Sequence, residues 1–278
     1  MNKVAGKAHR IVRLVLVVAL LAPAPLLAQP RPQRIVSLNL CADQYLLALA
    51  DRGQIAALTN LAGDAGISAY AGKARGLPMS AGTAEEVLAL DPDLIIAAPG
   101  RRLGTLGALA GRNYHMLKLP SAESFAQIVV QIRQVAAAVG HPARGEALIR
   151  RMRAGLDAIV PGRSSGVAAF YQRRGYLTGT ATLIDEIMRR AGLENLAARL
   201  GKPALSQLSL EELVAARPDF IIFEQGSDGL DDQGTEMLRH PVLRGVRRLY
   251  VPRAWTVCGG PAYLLAVQGL ASQAARQR

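Results

Sequence analysis

TAEEVLALDPDLII, residues 83–96, and SLEELVAARPDFII, residues 209–222, carry one pattern 126 positions apart. Each begins with a hydroxyl residue followed three positions later by a glutamate, Thr83 with Glu86 and Ser209 with Glu212. That spacing predicts a helix start at which hydroxyl and carboxylate each satisfy the other residue's backbone amide. Val87, Leu88 and Leu90, matched by Leu213, Val214 and Ala216, give each helix a face for packing, and Pro92 and Pro218 stop it. Asp93 and Asp219 fill the turn before LII and FII, apolar runs suited to strands covered on both faces. The repeat is a helix, a turn and a strand, used twice.

Strand and helix patterns alternate around each copy. RIVSL, IAALT, LIIAA and YHMLKL read as strands separated by helical stretches, which predicts a first lobe over 34–120. From Ser121 the strands stop: AESFAQIVVQIRQVAAAVG and ARGEALIRRMRAGLDAIV are helical, with GHP between them, giving a linking helical segment over 121–161. Alternation resumes over 165–278 with VAAFY as a strand, TLIDEIMRRAGLENLA as a helix, then the echo, FIIFE and LYVPRAW. The predicted fold is α/β, two doubly wound lobes with mostly parallel sheets joined by a long linking helix.

Residues 1–28 stand apart: Lys3, Lys7, Arg10 and Arg13 precede LVLVVALLAPAPLLA, the pattern of a cleavable signal peptide, with cleavage expected after Ala28 and a periplasmic destination. The apolar core before Pro23 is far short of the ~20 residues a spanning helix needs. Without those four basic residues the formal net charge falls from +12 to +8. In an exported chain such a charge argues against nucleic acid as a partner and leaves an anionic ligand, an acidic protein surface or simply a soluble basic surface.

The reactive side chains form no catalytic pattern. Cys41 and Cys258 are the only cysteines and belong to no C-x-x-C pair. His115, His141 and His240 have no neighbouring acid pattern, and no GxSxG, HExxH or P-loop occurs, so an exported enzyme using Cys41 as nucleophile lacks an evident base. The expectation is a non-enzyme without a cofactor. Glu85 and Glu211, at the second helical position of each copy, are favoured there by the helix dipole and are left without a capping partner.

RIVSLNLCADQYLLALADRGQIAALT, EEVLALDPDLIIA, GTATLIDEIMRRAGLENLA and LSLEELVAARPDFIIF, in this order and spacing, resemble the periplasmic substrate-binding proteins of ABC importers for cobalamin and ferric siderophores. The resemblance covers nearly the whole chain after the leader. It implies a monomer that holds a metal chelate, a ferric siderophore or a corrinoid, between its lobes, with small lobe motion, and that docks on the permease subunits through Glu85 and Glu211. A stand-alone chaperone or sensor for a metal chelate such as haem fits the same fold. Ligands of open α/β sheets lie at the carboxyl ends of the strands. That nominates Asn39, Leu40 and Cys41, Arg101 and Arg102, Gln172 and Arg173, Gln225, and the stretch from Trp255 to Cys258 and Gly260. Trp255 matches a family position that packs on the ligand, while Tyr171 and Tyr176 are phenolate ligands or core aromatics. The tyrosine that cobalamin binders carry after the second strand is missing from TNLAGDAG, the nearest being Tyr70. In its place NLCAD and TVCGGP each bring a cysteine to the cleft, as a disulfide, as thiol ligands, or as unrelated buried thiols.

Overall fold

A computed structural model describes residues 31–98, 103–159, 166–229 and 232–277. The leader and the pair Arg101 and Arg102 lie outside them.

The first sheet contains β1 (Ile35–Ser37), β2 (Ile55–Thr59), β3 (Met79–Ser80), β4 (Leu94–Ala97) and β5 (Met116–Lys118), in the order β3-β2-β1-β4-β5. All its pairings are parallel. Its helices are α1 (Leu40–Leu49), α2 (Ala71–Ala74), α3 (Ala84–Leu90) and α4 (Leu103–Leu109). Two helices follow without a strand, α5 (Phe125–Ala138) and α6 (Pro142–Asp157), packed on each other. The break falls at the GHP of the sequence: Gly140 has φ of 77°, and a Cβ there would lie 2.4 Å from the Arg31 side chain.

The second sheet takes β6 (Gly166–Phe170), β8 (Leu193–Asn195), β10 (Phe220–Glu224) and β11 (Arg247–Val251), in the parallel order β11-β10-β6-β8. The short pair β7 (Tyr176–Thr178) and β9 (Leu205–Gln207) is antiparallel. The helices here are α7 (Leu183–Arg190), α8 (Leu196–Arg199), α9 (Leu210–Ala216), α10 (Arg253–Thr256) and α11 (Tyr263–Arg276).

TLIDEIMRRAGLENLA is therefore not one helix. Gly192, at φ of 82°, ends α7 and lets LEN join the sheet as β8. Asn195 then holds the turn, its amide nitrogen donating to Asp185 Oδ1 at 3.0 Å while its Oδ1 accepts from Ala197 N at 3.0 Å, starting α8.

Side-chain alternation divides the strands between two kinds of core. Ile35, Leu94 and Ile96 of the first sheet and Ala168, Phe170, Phe220 and Ile222 of the second enter one continuous apolar cluster with α1, α5, α6, α7 and α11. Val36, Ile95 and Ala97 face the other way, onto Val87 of α3. Likewise Val167, Ile221 and Phe223 face Leu213 of α9. The repeated helices thus cover the outer faces of the two sheets.

The two copies start differently. In the second, Ser209 Oγ accepts from Glu212 N at 3.1 Å and Glu212 accepts from Ser209 N at 3.0 Å, the expected reciprocal cap. In the first, Thr83 Oγ1 accepts from Glu86 N at 3.3 Å, but Glu86 reaches past Thr83 to Ser80 Oγ at 2.5 Å and Gly82 N at 3.0 Å. The chain between β3 and α3 thus presents Ser80 and Gly82 to the Glu86 carboxylate.

The helices end alike, with Asp91 and Arg217 at φ of 44° and 47° before the prolines. The aspartates that follow do more than fill a turn. Asp93 accepts from Gln33 N at 2.6 Å and Arg34 N at 3.0 Å, and Asp219 from Val167 N at 2.7 Å. Each carboxylate pins the start of the neighbouring central strand. Asp93→Ala and Asp219→Ala are each expected to destabilise the fold by about 1–3 kcal/mol, the range for stranding backbone donors, read as a lower urea midpoint with unchanged slope.

Candidate functional site

In the first sheet the strand order reverses between β1 and β4, and the crevice outside their carboxyl ends is where this architecture places ligands. A cavity of ≈ 280 Å³ opens there. One wall carries Cys41 and Tyr45 of α1, Ala98 after β4 and the stretch from Leu119 to Glu123 after β5. The other carries Thr182, Leu183 and Ile184 at the start of α7 and the stretch from Thr256 to Gly259. A second, more apolar hollow of ≈ 320 Å³ shares Ala98, Leu119 and Pro120 and extends toward Leu106 and Lys118. Ligand cavities usually measure about 300–1,000 Å³, so the first of these stands at the small end.

The cavity walls are tied together in three places. Cys41 and Cys258 form a disulfide with a Cα–Cα distance of 5.4 Å, closing a separation of 217 residues. In the chain-entropy account a loop of that length restricts the unfolded chain by about 5 kcal/mol. Tyr45 Oη donates to Gly259 O at 3.0 Å, and Gly259 sits so close to the opposite wall that a Cβ would lie 2.0 Å from Ala122 O. Burial lifts the Tyr45 phenol well above its ordinary range, which keeps it a neutral donor.

The third tie is reciprocal. Glu123, just before α5, accepts from Leu183 N, the first residue of α7, at 3.0 Å. Glu186 of α7 accepts from Phe125 N, the first residue of α5, at 2.8 Å. Each helix start is satisfied by a carboxylate from the other segment, where the helix dipole also favours negative charge. Phe125 stacks on Tyr263 of α11 with centroids 5.5 Å apart, and Arg190 lies over the same ring.

The nominated residues divide accordingly. Cys41 and Cys258 line the cavity as a disulfide, so neither is a free thiol ligand and Cys41 is no nucleophile. Asn39 works for the fold, its Oδ1 accepting from Cys41 N at 2.7 Å to cap α1. Trp255 is not among the cavity residues. It is half-buried and packs on the shared core over Gly269, where a Cβ would lie 2.8 Å from its ring. Arg173 pairs with Asp232 at 2.8 Å and lines a separate hollow of ≈ 210 Å³ with Gln172 and Tyr176, at the carboxyl ends of β6 and β10. Tyr171 is a core aromatic: its hydroxyl donates to Leu208 O at 2.8 Å, and burial pushes its pKa up to about 12. Tyr70 packs against the core with Lys73 over its ring. Glu85 and Glu211 are exposed on α3 and α9, with no ion-pair or hydrogen-bond partner among the described residues.

Reading only the loops after strands missed Tyr45, Glu123, Gln131 and Thr182. Glu123 was within reach of that rule, because PSAES follows the strand YHMLKL as NLC follows RIVSL. Thr182 caps α7 by accepting from Asp185 N at 3.2 Å, and its T-x-x-D spacing marks it in the sequence. Tyr45 and Gln131 sit in helical patterns and carried no such mark.

Residues 35–247 match the family described as periplasmic binding protein. The chain belongs to that family. This periplasmic binding protein is 28% identical over 206 residues to a cobalamin-binding protein of Halobacterium salinarum, a match spanning 72% of this chain and 56% of that relative. Its fold is shared with the apo periplasmic heme-binding protein RhuT from Roseiflexus sp. RS-1, at TM-score 0.68 and 22% identity over 88% of this chain and 98% of the other. It is shared too with the periplasmic vitamin B12 binding protein BtuF of Vibrio cholerae, at TM-score 0.66 and 17% identity over 88% and 98%.

Asp43, two residues along α1 from Cys41, is fully buried and accepts from Thr59 N at 3.0 Å and Thr59 Oγ1 at 2.5 Å. Burial raises its pKa from 3.8 to about 6 against the opposing hydrogen bonds of Ser37 and Thr59. The folded state holds this proton more tightly than the unfolded chain. Its contribution to stability is therefore full below pH 3.8 and lost as pH rises through about 6. Asp43→Asn cannot ionise, so its stability relative to wild type is expected to improve across that window in urea titrations at stepped pH.

Proposed function

We propose that this periplasmic binding protein, exported by a signal peptide cleaved after Ala28, captures a metal chelate between its lobes and delivers it as a monomer to an ABC importer. A ferric siderophore, haem or a corrinoid would be such a chelate. The observation that carries this reading is the cavity at the carboxyl ends of β1 and β4, walled by segments from both halves of the chain and bordered by an apolar hollow that shares Ala98, Leu119 and Pro120 with it. The cavity mixes Tyr45, Ser121, Glu123, Gln131, Thr182 and Thr256 with apolar neighbours, and the adjoining hollow is mainly apolar, a combination that suits a chelate with an apolar face and a polar rim. The similarity to cobalamin- and heme-binding proteins supports the same class.

Spectral titration of the purified protein with cyanocobalamin, hemin and several ferric siderophores tests it. Saturable binding of one chelate, with a shift of its absorbance bands, is the expected result. Binding of a peptide or sugar and of no chelate would overturn the reading.

Glu85 and Glu211 would meet arginines of the two permease subunits, one carboxylate per lobe fixing orientation more than adding affinity. Both stand exposed on helices buried only along their inner side, at Val87 and Leu213. The double charge reversal Glu85→Arg with Glu211→Arg is expected to leave chelate affinity within about twofold and to abolish uptake in cells. Unchanged uptake would remove the docking role.

A further inference from the structure

The disulfide has a placement that stability alone does not call for. Cys41 is the second residue of α1, under the first sheet, and Cys258 lies between α10 and α11, beside the second, so the bond crosses from one cavity wall to the other. Both residues line the cavity. The other firm tie, the exchange of Glu123 and Glu186 between α5 and α7, joins different elements. With both ties in place the walls are fixed at two separate points. With the disulfide open, the shared core and the α5–α7 junction still hold the two halves together, while at the Cys258 loop the tie between the walls is reduced to the Tyr45 to Gly259 hydrogen bond and the packing of Gly259 on Ala122.

We propose that the Cys41–Cys258 disulfide is a redox-controlled determinant of ligand binding: oxidised, it holds the cavity walls in the binding geometry, and two-electron reduction by a dithiol releases them. The proposal rests on the cavity being the ligand site. A thiolate of the reductant attacks the Cys41 sulfur, the S–S bond breaks, and Cys258 leaves as a thiolate that takes a proton. The second thiol of the reductant resolves the mixed disulfide, leaving two cysteine thiols and one oxidised dithiol. Cys41 is the approachable end, half-buried at the cavity, whereas Cys258 is 4% exposed. A ligand in the cavity therefore covers the sulfur that must be attacked. Binding and oxidation support each other: preorganised walls hold the ligand more tightly, and by linkage the ligand protects the bond.

The test compares oxidised wild type, wild type reduced with dithiothreitol, and the double variant Cys41→Ser with Cys258→Ser. Absorbance titration with hemin and cyanocobalamin gives affinity, circular dichroism confirms folding, and hydrogen exchange reports mobility around residues 253–262. Expected are at least tenfold weaker binding in the reduced and variant proteins at unchanged ellipticity, faster exchange in that segment, and slower reduction when the probe is bound. Equal affinity in all three folded forms would overturn the proposal. So would unfolding on reduction, since the bond would then be a staple of the fold and not a control on the site. If neither probe binds any form, that result counts against the chelate reading, and exchange alone decides the bond's role: faster exchange on reduction upholds it as a tie between the walls, and unchanged exchange overturns it.

Discussion

One apolar core serves both sheets, and the placement of everything else follows from it. α5 and α6 lie between the halves of the chain, and Ile128, Ile132 and Ile149 join the same cluster as Ile96 of the first sheet and Ile222 of the second. Burial at about 25 cal/mol per Å² acts wherever such contacts are made, so parting the sheets would expose surface from both halves at once. The lobes are bound by a shared interior more than by a tether, which is why the cavity between them is already shaped.

That interior also decides which surfaces remain for recognition. The inner faces of the sheets are spent on each other through the central helices, and the outer faces are covered by α3 and α9. The carboxyl ends of the strands are left as the edge where loops from both halves converge. There the residues that hold the walls together, the disulfide, Tyr45 and Glu123, are the same ones that line the space. Binding surface and joint are built from common parts, so a change that tunes one acts on the other.

Much of the fold was legible because its signals are local. Apolar runs such as LIIA and FIIFE, buried throughout apart from the terminal glutamate, state both strand and depth, and GHP marks the helical break. β8 was hidden because its three residues sit between two helices and depend on Gly192 and on Asn195, whose partner Thr178 is 17 positions away. The departure at Glu86 was hidden for a similar reason, since its acceptor role depends on where a two-residue strand ends. In the site, the disulfide and the exchanged glutamates join residues 60 or more positions apart, and periodicity carries no information at that range. Trp255 shows that a distinctive residue in a nominated loop can also serve the interior, given a glycine opposite to receive its ring.

The count of cysteines has a consequence for biogenesis. With two in the chain, only one intrachain pairing exists, so there are no wrong isomers to rearrange and an oxidant suffices without an isomerase. In a chain exported N-terminus first, as the proposed leader implies, Cys41 would emerge 217 residues ahead of Cys258. For that interval its only possible thiol partners are on other molecules. In the folded chain Leu40 and Ala42 on either side of Cys41 are buried, which leaves Cys41 facing the cavity where Cys258 meets it.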